Sequence, residues 1–255
     1  MTRNNRSQVL CAKSKIVFYD YSELDWKRSG LKLFKIELSD FEDEVDLLIR
    51  FLQPDEVLRA RRYHYKKDVD RFIICRSALK FLLAKQTGLM TEDIFIQNDG
   101  NKKPYLASDP AMFFNLSHSG DRALIALGDR AMGVDVERID SAYDYSQVLP
   151  QIFSETEIDE LLKSKNPLRI FYTFWTRKEA IVKATGKGID DTFKEIPSMD
   201  GLHSRKPSLL GAIHKLQVKS FDFDDQYMGA LATTDHDVDL RNIPCYKIPS
   251  ILQYS

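Results

Sequence analysis

RFIICRSALKFLLAKQTG, Arg71 to Gly88, aligns without a gap on RIFYTFWTRKEAIVKATG, Arg169 to Gly186. Arg71 falls on Arg169, Lys80 on Lys178, Lys85 on Lys183, and Thr87-Gly88 on Thr185-Gly186. Between these anchors apolar residues coincide at helical spacing: Phe72 with Ile170, Ile73 with Phe171, Leu83 with Ile181, Ala84 with Val182. Each stretch reads as one long amphipathic helix ended by a glycine at its C-cap. Two amphipathic helices can share five identities in eighteen by chance, so the flanks have to decide between coincidence and duplication.

The first helix is followed by IFIQ, a turn at NDGNKKP, then FFNLSHSG and the strand-like RALIALG. The second is followed by a turn at GKG, then KLQVKSFDF and YMGALATT. A helix followed by several strands thus occurs twice. The repeat predicts an α+β fold of two similar halves related by pseudo-two-fold symmetry, each a long helix packed on a small, mainly antiparallel sheet. The halves are placed at residues 1–130 and 131–255, and a ligand is expected between them.

Composition narrows the class. Lys and Arg number 37 against 38 Asp and Glu, so no bulk positive charge draws the chain to nucleic acid or to a membrane, and any anion site has to be local. Cys11, Cys75 and Cys245 are too far apart for a CxxC pair and odd in number for a disulfide framework, which fits a reducing cytoplasm. The early basic residues of MTRNNRSQVLCAKSKIVFYDY precede only the short apolar run IVF, and no stretch approaches the ~18 apolar residues of a membrane span. A soluble, cytoplasmic protein is expected.

GVDVERI, Gly133 to Ile139, begins with strict alternation, placing Val134 and Val136 on one face of a strand and Asp135 and Glu137 on the other. Such carboxylates repel unless they are solvated or share a cation. The motif therefore reads equally as a half-exposed strand or as a metal site, and all-oxygen ligands suit Mg²⁺. On the second helix Trp175, Glu179 and Lys183 lie on one stripe. Glu before Lys at this spacing makes an ordinary surface pair. That leaves Trp175 unexplained, since a bulky aromatic on the stripe marks a partly buried face where charges need a partner or a ligand.

NLSHSG, Asn115 to Gly120, offers hydroxyls, an imidazole and backbone amides to a phosphate oxygen, but taken alone it reads better as a polar hairpin turn. Ser117 beside His118 makes no catalytic triad: neighbours on a strand point oppositely, and no GxSxG elbow surrounds the serine. In NKKPYL, Lys103 precedes a proline that holds the backbone extended, which alone describes a solvated turn. RARRYHYKKDVDR packs Arg59, Arg61, Arg62, Lys66, Lys67 and Arg71 into one segment. Such a run is ordinarily a wet helix face, and here it is also the densest positive patch available to a polyphosphate.

In this order, NKKPYL, FNLSHSG, GVDVE and FWTRKEAIVKATGKG resemble the signatures of the 4'-phosphopantetheinyl transferases, over roughly residues 50 to 235. The resemblance is to the longer, pseudo-dimeric form that activates non-ribosomal peptide and polyketide synthetases. It implies transfer of the 4'-phosphopantetheine group from coenzyme A to a serine of an apo acyl or peptidyl carrier protein, with release of adenosine 3',5'-bisphosphate. Asp135, Glu137 and Glu179 would hold Mg²⁺ on the pyrophosphate. Lys183, Ser117 and His118 would contact the phosphate chain, and Lys103 and Arg71, with Arg59, would grip the adenosine end and its 3'-phosphate. Glu179 would be the general base, with Lys183 as its catalytic partner. The first half would then bind coenzyme A, the second would carry the metal site and the carrier contact, and a monomer would suffice.

The chain departs from the family pattern at three positions. Lys102 stands where many members have a glycine before the lysine of GKP, Glu56 where a lysine for the 3'-phosphate is expected, and Lys80 in place of a common arginine. The carrier is expected to dock near FSETEIDELLKSK, Phe153 to Lys165, through Leu149, Ile152 and Phe153, residues that read at least as well as core. Two other functions would use the same residues: a non-catalytic module binding coenzyme A or a carrier, and a Mg²⁺-dependent hydrolase of nucleotide pyrophosphates with water as acceptor.

Overall fold

The computed structural model describes residues 6–211 and 213–250. The first half of the chain carries β1 (Ser7–Lys13), β2 (Lys15–Asp20), β3 (Lys32–Glu37), α1 (Val45–Leu48), α2 (Pro54–Ala60), α3 (Lys66–Thr87), β4 (Ile96–Asn98), β5 (Pro104–Leu106), β6 (Phe113–Ser119) and β7 (Arg122–Gly128). The second carries β8 (Met132–Arg138), α4 (Leu149–Ile152), α5 (Glu155–Lys163), α6 (Pro167–Thr185), β9 (Gly201–Arg205), β10 (Lys215–Asp224), β11 (Tyr227–Thr233) and β12 (Asn242–Lys247). The fold is α+β.

The aligned stretches are α3 and α6, and both stop where the repeat places their ends. Gly88 and Gly186 take left-handed backbone at φ 76° and 69°, and their N–H groups donate to the Ala84 and Val182 carbonyls. That conformation costs a residue bearing a Cβ about 1–2 kcal/mol, which explains the glycines.

Each long helix sits within the same connectivity. β3, α3, β6 and β7 follow in chain order, with β7 antiparallel between β3 and β6. β8, α6, β10 and β11 repeat the pattern, with β11 antiparallel between β8 and β10. Ile74, Ala78 and Leu82 of α3 pack on Phe34 and Ile125, while Ala180, Ile181 and Ala184 of α6 pack on Val218 and Ala230. The opposite faces of the two sheets meet through Leu33, Leu124, Val134, Val136 and Leu231. Alternation along β8 therefore holds as expected, with both valines fully buried in this inter-sheet core.

The termini do not respect a division at residue 130. β1 lies in the second sheet, parallel to β10 and antiparallel to β9, whereas β2 joins the first sheet parallel to β12, which comes from the end of the second half. Ser14 makes the crossing: its N–H donates to the Ser220 carbonyl and its hydroxyl to the Leu240 carbonyl. Each extra strand supplies partners for backbone groups that would otherwise line a bare sheet edge.

A second repeated device explains Glu56. Glu56 closes a capping box with Gln53 at the start of α2, and Glu157 does so with Ser154 at the start of α5. Glu56 then reaches Arg76 Nε at 3.4 Å and Lys80 Nζ at 3.6 Å, as Glu157 reaches Lys178 Nζ at 3.0 Å. Lys80 and Lys178 are the aligned lysines of the repeat, and both are fully buried. Glu56 is thus a buried structural anion that balances the cations α3 brings inside.

Candidate active site

The two sheets join along β6 and β8, edge strands of different sheets that meet through side chains. Asn115, Ser117 and Ser119 share one face of β6. Asn115 Oδ1 accepts from the Val134 N–H at 2.8 Å, Ser117 Oγ donates to Asp135 Oδ1 at 2.8 Å, and Ser119 Oγ donates to Glu137 Oε2 at 2.7 Å. NLSHS is therefore strand rather than hairpin turn, and the strand's alternation separates Ser117 from His118.

Helix α6 crosses β8 backbone against backbone. A Cβ on Gly133 would overlap the Ala180 carbonyl oxygen and the Ala184 nitrogen and lie 2.8 Å from the Lys183 carbonyl carbon. This close approach brings Glu179 and Lys183 beside Asp135. Lys183 does not pair with Glu179, its helical neighbour: Nζ donates to Asp135 Oδ1 at 2.7 Å and to Ser117 Oγ at 2.9 Å. The half-buried stripe anticipated from Trp175 is present, with Trp175 stacked on Phe171 at 6.5 Å and edge-on to Phe193 at 5.8 Å.

Burial decides the reading of GVDVE. Asp135 is only 2% exposed, so it belongs to no solvated strand face. Burial first, and then the Asp135 charge, push Glu179 up to about 7 and raise Glu137; Lys183 opposes both shifts, and the Ser119 and Trp175 side chains oppose that of Glu137. Asp135 Oδ2 is buried without a hydrogen-bond partner. Three mutually repelling carboxylates, one ammonium and one orphaned oxygen suit a hard divalent cation with oxygen ligands such as Mg²⁺. Among the described residues, however, no three His, Cys, Asp or Glu side chains are drawn into a ready metal cage, because Lys183 holds Asp135 and Ser119 holds Glu137.

Beyond Lys183 opens a cleft of about 370 Å³ between α3, residues 101–104, β6 and the end of α6. Arg59, Arg76, Lys102, Lys103 and Lys183 line it together with His118. Lys103 donates to the Ala184 carbonyl at 2.8 Å, joining the two halves, and burial lowers its pKa to about 8. His118 is lowered first by burial and then by the Arg71 charge, which keeps its imidazole neutral at pH 7. Arg71 pairs with Asp68 at 2.6 Å and lies outside the cleft lining. Ser117 is also outside it, committed to Asp135 and Lys183.

Comparison with known proteins gives this arrangement a family. A model of the 4'-phosphopantetheinyl transferase superfamily matches residues 131–233, and a model of the 4'-phosphopantetheinyl transferase N-terminal region matches residues 39–129. The chain is 30% identical over 166 residues to 4'-phosphopantetheinyl transferase psf-1 of Bacillus pumilus, covering 62% of this chain and 70% of that one. It is 32% identical over 164 residues to 4'-phosphopantetheinyl transferase HetI of Nostoc sp., covering 62% and 69%. The chain belongs to the 4'-phosphopantetheinyl transferase family. Similarity to 4'-phosphopantetheinyl transferase Sfp of Bacillus subtilis is lower, at 26% over 201 residues, but spans 77% of this transferase and 88% of that one.

Sequence reasoning missed several residues of this transferase's site. Asn115 and Ser119 bind the edge of the second sheet, and their signal was the period-two spacing with Ser117. Gly133 lets the helix close on the strand, and its position before the paired carboxylates was the cue. Arg76 lines the cleft with Nη1 buried and unpartnered, and no spacing rule distinguishes it from other helix arginines. The expected carrier contact at Leu149 and Phe153 is corrected: they are 7% and 2% exposed, packed with Phe171 and Phe174 in the core. Among the described residues, no helix is long and apolar enough to cross a membrane.

Proposed function

We propose that this chain transfers the 4'-phosphopantetheine group from coenzyme A to a serine of an apo acyl or peptidyl carrier protein, releasing adenosine 3',5'-bisphosphate. One observation carries the reading: Lys183 belongs at once to a buried carboxylate cluster and to a cleft lined with cations. A pyrophosphate ester needs both fields, one to accept a proton and the other to neutralise phosphate charge.

Asp135, Glu137 and Glu179 would hold Mg²⁺, which when bound neutralises the pyrophosphate and makes its phosphorus more electrophilic. Glu179, raised toward neutrality, accepts the proton of the carrier serine. The serine oxygen bonds to the β-phosphorus as the bond to the bridging oxygen breaks, and the charge left on the bisphosphate is met by Lys183 and the cleft cations. His118 offers an N–H rather than a charge. Arg71 acts on His118 from outside the cleft. Ser117 holds Asp135 and Lys183 in register instead of binding phosphate.

We read the two halves as a duplicated unit related by a pseudo-two-fold operation. The matched strand order, glycine caps and buried Glu–Lys pairs support this reading. One chain supplies both walls of the cleft, so a monomer is sufficient. Incubation with coenzyme A, Mg²⁺ and apo carrier proteins should add ~340 Da, one phosphopantetheine group, to a carrier. No mass gain across fatty-acid, polyketide and peptide carriers would refute the function. Release of adenosine bisphosphate without a carrier would point to hydrolysis instead.

A further inference from the structure

A second cleft, of about 610 Å³, lies on the other side of the Gly186-Lys187-Gly188 turn. Gly186 and Gly188 line the first cleft, while Lys187 between them lines the second. Arg6, Lys194, Arg205 and Lys206 complete its positive wall, against the carboxylates of Glu157 and Glu195. The Glu157 charge is already taken up by buried Lys178, with further hydrogen bonds from the Ser198 N–H and hydroxyl. Lys187 is held by Asp190 at 3.0 Å. Among the described residues, Arg6, Lys194, Arg205 and Lys206 have no ion-pair partner, and Arg6, Lys194 and Lys206 are exposed. The cleft therefore keeps an excess of uncompensated positive charge that the transfer chemistry does not use.

The character of this wall indicates its occupant. A small phosphorylated ligand is usually gripped by convergent buried donors, whereas Arg6, Lys194 and Lys206 are solvated, Arg205 already donates to the Glu195 and Ser204 carbonyls, and exposed apolar side chains stand nearby. Leu202 is 65% exposed on the same face of β9 as Ser204, with Leu10 opposite it across the strand pair and 38% exposed. Ile189, just past the turn, is 63% exposed. Solvated charge around apolar contacts is how one protein surface steers and seats another of opposite charge.

We infer that this cleft seats the acidic face of the apo carrier protein while the carrier's serine reaches Glu179; the inference rests on the transferase reading above. The spacing permits it. Thr185, the last residue of α6, lies about 9 Å along the helix from Glu179, Lys187 follows two residues later, and a carrier domain of ~80 residues has a radius of gyration of about 12 Å. One rigid partner can engage both places.

The test uses an isolated apo peptidyl carrier domain of net negative charge that the wild-type chain modifies. In the Lys194→Glu/Lys206→Glu double variant, KM for the carrier should rise at least ~10-fold, with kcat at saturating carrier and KM for coenzyme A unchanged. Lys194→Arg/Lys206→Arg should retain wild-type behaviour. Added NaCl should lower kcat/KM for the carrier in wild type and have far less effect on the charge-reversed variant. An unchanged carrier KM overturns the inference alone, and a raised KM for coenzyme A reassigns the cleft to the coenzyme. Failure of the wild-type chain to modify any carrier overturns the function, and this inference with it.

Discussion

Replacing Gly133 by Ala probes the contact on which the site depends. The new methyl group would lie 2.8 Å from the Lys183 carbonyl carbon and overlap backbone atoms of Ala180 and Ala184, all part of a helix that cannot yield locally. Restoring ordinary carbon contact requires β8 to withdraw by at least ~0.6 Å. Overpacking of this kind costs about 1–3 kcal/mol. At roughly 2–4 °C per kcal/mol for a chain of this size, Tm should fall by about 2–12 °C. Asp135 lies two residues along β8, and the shift would pull it from the 2.7 Å bond with Lys183. Misplacement on this scale should lower transfer ~10–100-fold. Thermal melts and carrier mass gain at saturating coenzyme A measure the two effects. Gly100→Ala, where a Cβ meets nothing within 4 Å, is the control and should change neither. Wild-type Tm and rate in Gly133→Ala would refute the argument that backbone contact at this residue sets the site.

Four further outcomes follow from the charges. Glu179 ionises in the fold at about 7 against an ordinary 4.5, so its charge opposes folding increasingly above pH 4.5 and fully above pH 7. Glu179→Gln should therefore raise stability at pH 8 without divalent cations, by something on the order of 1–3 kcal/mol, give no gain at pH 4, and abolish transfer; equal melts at both pH values would contradict this. Mg²⁺ alone should raise Tm more at pH 8 than at pH 5, where protons compete for the same oxygens, and Asp135→Asn should lose most of that gain; a pH-independent shift would count against these ligands. Lys102, the one residue other than glycine with positive φ among the described residues, sits at 65°. Lys102→Gly should gain roughly 0.5–1 kcal/mol of stability while raising KM for coenzyme A about 1.5–5-fold through loss of a cleft cation; effects of the same sign on stability and affinity would break the argument. Glu157→Ala strands buried Lys178 and should cost about 3–5 kcal/mol in a denaturant melt, far more than removal of an exposed carboxylate such as Glu160.

Removing Glu179's charge and removing Lys102's backbone strain are both expected to stabilise the fold at the expense of the site. Each residue is held against local preference, Glu179 by burial among like charges and Lys102 by left-handed backbone. The second strain stands at one of the chain's departures from the family pattern. Another departure, Glu56, is spent on Arg76 and Lys80 inside the first half, so the cations which that half presents to the cleft are Arg59, Arg76, Lys102 and Lys103, facing Lys183 of the second.

Much of this architecture is local in origin. Period-3.6 patterning and terminal glycines marked α3 and α6, alternation marked β8 and β10, and short apolar runs marked β7 and β11, whereas the polar NLSHS of β6 reads as a turn unless β8 lies beside it. Val134 and Val136 had to face apart from Asp135 and Glu137 whatever surrounded them. Tertiary structure decided what periodicity cannot reach. Whether Asp135 meets water depends on which edge strand lies beside β8, and whether Lys183 pairs with Glu179 or Asp135 depends on how closely α6 approaches Gly133. The exchange of β1, β2 and β12 between the sheets joins residues more than 200 positions apart, for which short strands carry no address. Helix and strand periods are properties of a few successive residues, whereas the pairing of buried charges is settled only when distant elements exclude water from the same place.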